Sequence, residues 1–206
     1  MARADRSHRD AHTARTREAL VDAALRLFAT KGYDGTTTEE VAQLAGVSPR
    51  TFFRYFSTKE SVLFFGEDDF IRAFTGVYLT QPQHMDDIEA LLKSFVFLAP
   101  VVSRLRERVK LYRQAVATSA SLIGREKANH DANAATIAEA IAKRRAMTIP
   151  DPACELLAAV GVVVLNHALD RWLNSPPRAH LGEVISEEFR LLEGLWAGRG
   201  PTGPGR

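Results

Sequence analysis

The feature of this sequence that most constrains its fold is the spacing of its apolar residues, which recur every three or four positions in one segment after another. That spacing is the period of an amphipathic α-helix, whereas a half-buried strand alternates apolar and polar residues at every second position. No segment shows such alternation. The chain is therefore predicted to be all-α, with helices separated by glycine, proline and capping residues.

The N-terminal third predicts short helices with clear start signals. A segment over 14–30 carries one apolar stripe and ends before a glycine. Thr37 and Glu40 then match a capping box, in which each side chain bonds a backbone N–H at the start of a helix. Ser48 and Pro49 start the next helix, because Ser is a favoured N-cap and Pro lacks the N–H that would have no partner there. Helices spaced so closely are typical of a helix-turn-helix.

The rest of the chain continues as helices. The run Ser57-Thr58-Lys59-Glu60 matches a second capping box and predicts a fourth helix that extends to about residue 79. Pro100 is expected to end one later helix or begin the next, and Asp151 with Pro152 should cap and start another. The further predicted helices span 86–99, 101–123, 125–147, 152–173 and 181–196.

Composition indicates a soluble globular protein. With 206 residues, of which 46% are hydrophobic and 25% charged, the chain can bury a sizeable core, and its net charge is only +2. The single cysteine, Cys154, cannot form an intramolecular disulfide. The N-terminus lacks the apolar core of a signal peptide, and the apolar run over 156–165 is too short to span a bilayer. We therefore expect a cytoplasmic protein without a membrane partner.

Sequence motifs give no support to an enzyme or a metalloprotein. No G-x-S-x-G, Walker loop, H-E-x-x-H or paired-cysteine zinc pattern occurs, so we expect no catalytic residues, no metal and no cofactor. His8 and His12 have the spacing of helical metal ligands, but they lie in an arm expected to be flexible. Residues 1–17 contain five arginines and two aspartates. This basic arm is either a solvated terminus or a source of extra phosphate contacts.

The stretch GVSPRTFFRYFSTKE, residues 46–60, carries the most specific pattern. On a helical wheel Phe52 and Phe56 share an arc with Pro49 and Phe53, and the opposite arc holds Arg50, Thr51, Arg54 and Tyr55. Phe52 and Phe56 are interpreted as core residues that pack on Leu27, Phe28 and Val41. Arg50, Thr51 and Tyr55 are predicted to face outward, where a recognition helix meets the major groove. A solvated basic face is the alternative, and the helix-turn-helix spacing favours DNA.

These residues carry a resemblance to a known family. The segment from Ala19 to Phe64, with its LF, KGY, T-x-x-x-VA, AGVS and T-x-F-x-YF elements, resembles the N-terminal DNA-binding domain of the TetR (tetracycline repressor) family. The resemblance implies a homodimeric regulator, usually a repressor that a small molecule releases from its operator. It also implies DNA contacts at Thr38, Arg50, Thr51, Phe53, Tyr55 and Lys59. The family often has a phosphate-bonding tyrosine at the position of Phe53, so that contact is reduced here to van der Waals packing.

The predicted organisation follows from these elements. We expect a disordered basic arm over 1–13, a helix-turn-helix domain over 14–60, a helical ligand-binding and dimerisation domain over 61–197, and a disordered tail over 198–206. The apolar helices 152–173 and 181–196 are predicted to pair with their symmetry mates in a four-helix bundle, as in the family. Such a dimer would set two recognition helices, residues 49–56, roughly 34 to 36 Å apart.

The second half is also expected to bind a small molecule. Aromatic and aliphatic residues there are interleaved with polar ones, which suits an apolar pocket, although aromatic residues at helical spacing also build ordinary cores. The candidate ligand-binding residues are Phe74, Phe95, Tyr112, Val116, His130, Asn133 and His167. The layout is similar to TetR regulators of acyl-CoA-like ligands, and the cationic run Arg104, Arg106, Arg108 and Lys110 is either a contact for CoA phosphates or a solvated face.

The sequence thus predicts a dimeric, ligand-responsive repressor of a roughly palindromic operator, and not an enzyme. Two alternatives from other classes stay open. One is an α-helical enzyme whose N-terminal domain is merely structural. The other is a nonspecific architectural DNA-binding protein, which would show no preference for a palindrome.

Overall fold

A computed structural model describes the backbone of residues 2–196 and the side chains of residues 11–195. Within that range the chain is helical and contains no strand, which confirms the predicted all-α class. The helices are α1 (Ala2–Lys31), α2 (Thr38–Leu44), α3 (Pro49–Tyr55), α4 (Glu67–Leu79), α5 (Asp87–Ser103), α6 (Arg106–Val116), α7 (Ala120–Arg144), α8 (Pro152–Leu173) and α9 (Leu181–Trp196). One 3₁₀ turn, Glu60–Val62, precedes α4. The predicted disordered tail over 198–206 lies outside the described residues.

The chain forms two compact units, and the boundary differs from the predicted division after residue 60. The first unit comprises residues 1–67 and 107–127, and the second comprises residues 68–106 and those from 128 onward. Residues 107–127 join the first unit because Ala115, Val116 and Leu122 are buried in the same apolar cluster as Phe28 and Phe52. We call these the N-terminal unit and the C-terminal unit.

The core of the N-terminal unit forms as predicted around α1, α2 and α3. Phe28, Val41 and Phe52 are fully buried, Phe56 is nearly so, and Leu27 packs against the cluster. Capping chemistry defines the two short helices. The backbone N–H of Glu40 donates to Thr37 Oγ1 at 3.2 Å, and that of Thr37 donates to Glu40 Oε2 at 2.9 Å, which confirms the capping box. Ser48 caps α3, with Pro49 at its start.

The structure places the predicted disordered arm, residues 1–13, largely within a helix. Helix α1 begins at Ala2, rather than near residue 14, and runs to Lys31. The sequence contains no glycine or proline before Gly32, so nothing local stops the helix from extending toward the N-terminus.

The predicted fourth helix over 57–79 is wrong in its first half. The expected capping box is replaced by a reciprocal pair, in which the backbone N–H of Thr58 donates to Ser61 Oγ and that of Ser61 donates to Thr58 Oγ1. A 3₁₀ turn follows, and α4 begins only at Glu67. Gly66 has φ of 96°, a left-handed conformation that a continuous right-handed helix cannot contain.

Other helix bounds also differ from their predictions. Pro100 does not end α5, which continues through it to Ser103. Its missing N–H costs one helical hydrogen bond close to the end of the helix, and only three more residues follow. Helix α6 spans Arg106–Val116 instead of 101–123, and α7 spans Ala120–Arg144 instead of 125–147. The predicted bounds of α8 and α9 are confirmed.

The C-terminal unit packs α5 against α8 and α9 around large buried side chains, among them Phe74, Phe95, Trp172 and Phe189. A buried polar cluster supports it. Asp87 accepts from the Tyr78 hydroxyl at 2.7 Å, from Arg144 Nη1 at 2.8 Å and from Arg145 Nε at 2.7 Å. Burial alone raises the pKa of Asp87, but these bonds and charges outweigh it and hold the pKa below its ordinary value.

Helix α8 is the one helix of the described range that is long and apolar enough to cross a membrane, judged by length and composition alone. The apolar run over 156–165, which was expected to be too short to span a bilayer, covers only part of this helix. Core helices of soluble proteins pass the same test, yet only 28% of this window is buried within the chain. Part of its apolar surface therefore has no partner within the described chain.

Candidate functional site

Helices α2 and α3 form the helix-turn-helix expected from the sequence. Their connection is a tight turn at Gly46, whose φ of 70° lies in the left-handed region that favours glycine. The N–H of Val47 donates to the Ala42 carbonyl at 2.9 Å, so the turn is itself hydrogen-bonded to α2. Phe52 and Phe56 then fix α3 to the core. The opposite face of α3 is thus presented on a rigid element.

The exposed face of α3 differs from the arc that the helical wheel predicted. Pro49, Arg50, Phe53 and Arg54 are exposed, whereas Thr51 and Tyr55 are only partly so. Phe53 was placed on the arc of the core residues, but 53% of its surface is exposed. The exposed face is centred between Arg50 and Phe53, because Phe52 and Phe56 pack inward and set the rotation of the helix.

Tyr55 is turned toward α1. Its hydroxyl is hydrogen-bonded to the side chains of Thr13, Thr16 and Arg54, and Arg17 lies over its ring, 5.7 Å from the centroid. Burial opposes ionisation, but these bonds outweigh it and lower the pKa of Tyr55. The predicted outward orientation of Tyr55 is therefore not what the structure shows, since the wheel could not include contacts from α1.

The side chain of Lys59 also bonds other groups of the N-terminal unit. Its ammonium group donates to the carbonyl of Tyr33 at 2.7 Å and to that of Thr36 at 2.9 Å, and it lies 4.1 Å from the centre of the Tyr33 ring. These bonds tie the segment after α3 to the loop between α1 and α2. Thr38, at the start of α2, is half-buried, and its hydroxyl donates to Glu39 at 3.2 Å.

The structure divides the seven candidate ligand-binding residues between the two units. Five lie in the C-terminal unit, and Tyr112 and Val116 lie in the N-terminal unit. Phe74 and Phe95 stack with their ring centres 4.3 Å apart, and both are buried in the core. His130 and Asn133 are half-buried on α7.

His167 is mostly exposed. Its Nδ1 lies 2.6 Å from Glu188 Oε2, and Arg171 bonds the other oxygen of that carboxylate. Burial raises the pKa of Glu188, yet Arg171 and His167 outweigh it and lower the pKa overall. His167 therefore belongs to an ion cluster between α8 and α9.

Tyr112 is held inside the N-terminal unit. Its hydroxyl donates to Glu67 at 3.2 Å, and its ring meets Phe64 edge-on with centroids 5.9 Å apart. Burial raises its pKa, and the nearby carboxylates of Glu67 and Glu126 raise it further. Val116 is buried in the same unit's core.

An open groove of about 780 Å³ lies between α5 and the start of α9, in the C-terminal unit. None of the seven candidate ligand-binding residues lines it. Its lining residues are Val96, Ala99, Pro100, Ser103, His180, Leu181, Gly182, Glu183, Ser186, Glu187 and Arg190. Among the described side chains, no group of three His, Cys, Asp or Glu residues could hold a metal ion.

Two arginines of the cationic run, Arg106 and Arg108 at the start of α6, already bond other groups of the chain. Arg106 Nη2 donates to the carbonyls of Trp172 at 2.8 Å and Ser175 at 2.7 Å, which closes the C-terminal end of α8. Arg108 pairs with Asp22, at 2.7 Å from Nε, and with Glu18. Two of the four cations proposed to meet a CoA phosphate are therefore committed to carbonyls or carboxylates of the chain itself.

Sequence reasoning assigned no role to Arg17 and left Arg54 without a matched one. Arg17 contacts the rings of Tyr55 and Phe65, at 5.7 and 5.2 Å from their centroids. Arg54 is exposed beside Phe53 and bonds Tyr55. The helical period places Arg54 on the same arc as Arg50, four residues earlier, and both are exposed, but no local signal pairs Arg17 with Tyr55.

Comparison with known protein families supports the helix-turn-helix formed by α2 and α3. The family model for bacterial regulatory proteins of the tetR family matches residues 20–64, and the model for the MftR C-terminal domain matches residues 88–197. The transcriptional regulator TcmR of Streptomyces glaucescens is 36% identical over 93 residues, which cover 45% of this chain and 40% of TcmR. BetI of Rhizobium meliloti is 49% identical over 47 residues, or 23% of each chain. The chain thus aligns with less than half the length of these relatives.

Solved structures match over more of the chain. FadR of Thermus thermophilus, a TetR-family repressor solved in complex with lauroyl-CoA, is 25% identical and has a TM-score of 0.56. The match covers 92% of this chain and all of that one. FadR of Bacillus halodurans has a TM-score of 0.61 at 18% identity, with 87% of this chain and 95% of that one covered, and shows the fold alone.

Proposed function

Because this chain belongs to the TetR family of bacterial regulatory proteins, we propose that it is a transcriptional repressor that binds operator DNA through α3. The observation that carries the proposal is the exposed face of α3. Arg50, Phe53 and Arg54 project from a helix whose other face is anchored by Phe52. A short rigid helix with two exposed guanidinium groups suits the major groove, where arginine bonds guanine or phosphate.

The remaining predicted contacts take different parts in this proposal. Thr51 lies in the first turn of α3, where its hydroxyl lies 2.9 Å from that of Ser48 and can turn to a phosphate oxygen. Thr38, at the start of α2, is proposed to contact the DNA backbone. Tyr55 and Lys59 are bonded within the N-terminal unit, so they hold α1 and the α1–α2 loop in place next to α3.

We further propose that the protein is a homodimer that pairs through α8 and α9 and binds a roughly palindromic operator. Large apolar side chains remain exposed on both helices, namely Leu156, Val163, Leu191 and Leu195. An exposed apolar patch of this kind marks an interaction surface, and a two-fold axis through it would match two half-sites of DNA. Such a regulator would work in the cytoplasm and needs no catalytic residues.

A small, largely apolar effector is proposed to bind the C-terminal unit and release the DNA. The support is the lauroyl-CoA complex of the similar T. thermophilus FadR and the apolar, aromatic interior around Phe74 and Phe95. These two rings are stacked and buried. An acyl chain that enters between α4 and α5 would have to separate the Phe74 and Phe95 rings. Effector binding would therefore favour a conformation of the C-terminal unit in which the two rings are apart.

The test measures binding of the full-length protein to its own upstream DNA by electrophoretic shift at several salt concentrations. We expect a complex at low salt that weakens as salt rises. Arg50→Ala should weaken it by about 1 to 3 kcal/mol and relax the sequence preference if Arg50 reads a base. Arg72→Ala, an exposed arginine of α4, is the matched control. Absence of any shift at low salt would refute the repressor and favour an enzyme, and equal affinity for all duplexes would favour an architectural protein.

A further inference from the structure

Phe53 is an exposed aromatic residue in the middle of a charged surface. Its side chain follows Arg50 by one helical turn and precedes Arg54, and 53% of its surface is exposed. Residues on either side of it in the chain have clear partners: Phe52 is in the core, and Arg54 bonds Tyr55. More than half of the Phe53 surface thus lies outside the core of the N-terminal unit.

One side of the ring packs against the core. Phe53 meets the fully buried Phe52 edge-on, with the ring centres 5.4 Å apart and the planes at 80°. This geometry is the favourable arrangement for two aromatic rings. Phe52 is itself fixed by its contact with Phe56, at 5.8 Å between centroids. Phe53 therefore presents an apolar ring packed on a fully buried one, with no hydroxyl to donate to a phosphate.

Only one base offers an apolar group in the major groove. Guanine, cytosine and adenine present donors and acceptors there, whereas thymine adds its 5-methyl group. A phenyl ring forms no conventional hydrogen bond with a phosphate or an amino group, but it can bury a methyl group and exclude water from it. The flanking Arg50 and Arg54 can hold the ring against the groove through polar contacts.

From this placement we propose that Phe53 is a specificity-determining residue that reads the 5-methyl group of a thymine in each operator half-site. The inference rests on the proposed function, because it requires α3 to lie in the major groove. It assigns to Phe53 a sequence-reading contact in place of a general packing contact with the DNA backbone.

The experiment replaces single thymines of the bound upstream duplex with deoxyuridine, which keeps every hydrogen-bonding group and removes only the methyl. We expect one thymine per half-site at which the replacement weakens binding about fourfold, the factor for burying one methyl-sized group, and roughly fifteenfold when both half-sites are changed. Other thymines should show no effect. Fluorescence anisotropy at fixed salt measures the affinities.

Three variants test whether the Phe53 ring causes the sensitivity to the thymine methyl group. In Phe53→Ala the thymine and deoxyuridine duplexes should bind equally at that position, while Phe53→Leu, which keeps an apolar side chain, should retain part of the discrimination. Phe97→Ala removes a ring that is 67% exposed in the C-terminal unit and should leave the fourfold factor intact. Circular dichroism confirms that each variant is folded.

Two results would overturn the inference while leaving the proposed function standing: a bound duplex in which no thymine is sensitive to the loss of its methyl, or a sensitivity that persists unchanged in Phe53→Ala. The second would assign the methyl contact to another residue. If the unaltered protein binds no duplex at all, the proposed function fails and the inference fails with it.

Discussion

Lys59 gives the sharpest test of whether a residue at a family DNA-contact position contacts DNA here. Its ammonium group donates to the Tyr33 and Thr36 carbonyls at 2.7 and 2.9 Å and lies 4.1 Å from the Tyr33 ring centre. Lys59→Met keeps the aliphatic stem and removes the charge. The structure predicts that this variant loses stability in the α1–α2 loop and keeps the same number of phosphate contacts.

The magnitude follows from these contacts. A hydrogen bond to a charged group contributes about 1.5 to 3 kcal/mol, and a cation over an aromatic ring contributes about 0.5 to 1 kcal/mol. Two bonds at the lower end of that range and the ring contact give about 3.5 kcal/mol. Lys59 is only partly buried, so water replaces part of this interaction in the variant. We expect a net loss of about 2 kcal/mol, or roughly a thirtyfold change in a local opening equilibrium.

Two assays separate the roles. Hydrogen exchange of peptides that cover residues 31–44 should speed up by about that factor. The slope of the logarithm of DNA affinity against the logarithm of salt concentration should not change, because no phosphate contact is lost. Lys93→Met, which removes an exposed lysine paired with Glu89 on α5, should change neither quantity. A slope that falls by about 0.9 for each phosphate contact, or about 1.8 for the proposed dimer on two half-sites, with unaltered hydrogen exchange would refute this reasoning and assign Lys59 to a phosphate.

Three further predictions concern the C-terminal unit. Asp87 has a lowered pKa in the folded state, so its contribution to stability is present above the pKa of an unfolded aspartate, about 3.9, and is lost as pH falls through the folded value. Asp87→Asn should therefore lower the free energy of unfolding at pH 7 by about 2 to 3 kcal/mol, as measured by urea unfolding. The variant should also lose less stability than the unaltered protein when the pH falls below about 4. Equal acid sensitivity of the two proteins would contradict this prediction. Val163→Glu, on the exposed face of α8, should convert the proposed dimer to a monomer in light scattering, whereas Leu44→Glu, equally a change of an exposed residue, should not. Arg106→Ala should reduce the free energy of unfolding by about 2 kcal/mol, because it leaves the carbonyls of Trp172 and Ser175 without their charged donor. The fluorescence of Trp172 should then report unfolding at a lower urea concentration. Arg106→Lys should recover part of the lost stability.

Local chemistry explains which parts of the fold could be predicted from the sequence. The starts of α2, α3 and α8 depend on side chains within three residues of the helix end, at Thr37, Ser48 and Asp151. Such caps are visible in the sequence and need no tertiary partner. The stop before α4 was missed because it depends on a glycine conformation and on the Thr58 and Ser61 pair, which compete with the capping pattern one residue earlier.

The predicted DNA-facing residues show where helical period alone fails. A seven-residue helix makes about two turns, so the wheel fixes the relative angles of its residues but not which angle faces solvent. The rotation of α3 depends on the packing of Phe52, and the orientation of the Tyr55 side chain depends on its bonds to Thr13 and Thr16 of α1. Those contacts join residues about forty positions apart, beyond the reach of any local pattern. As a result Phe53 was placed too far inward and Tyr55 too far outward.

The cationic run of α6 shows why a row of like charges is weak evidence for an anion site on a helix. Arg106 and Arg108 are two positions apart, so helical geometry turns their side chains about 160° from each other. One guanidinium closes the end of α8 in the C-terminal unit, and the other pairs with Glu18 and Asp22 of α1 in the N-terminal unit. Alternate residues would share a face in a strand, where a single phosphate group could meet both. On a helix the same spacing sends them to different partners, and a CoA phosphate would first have to displace bonds that each unit already makes.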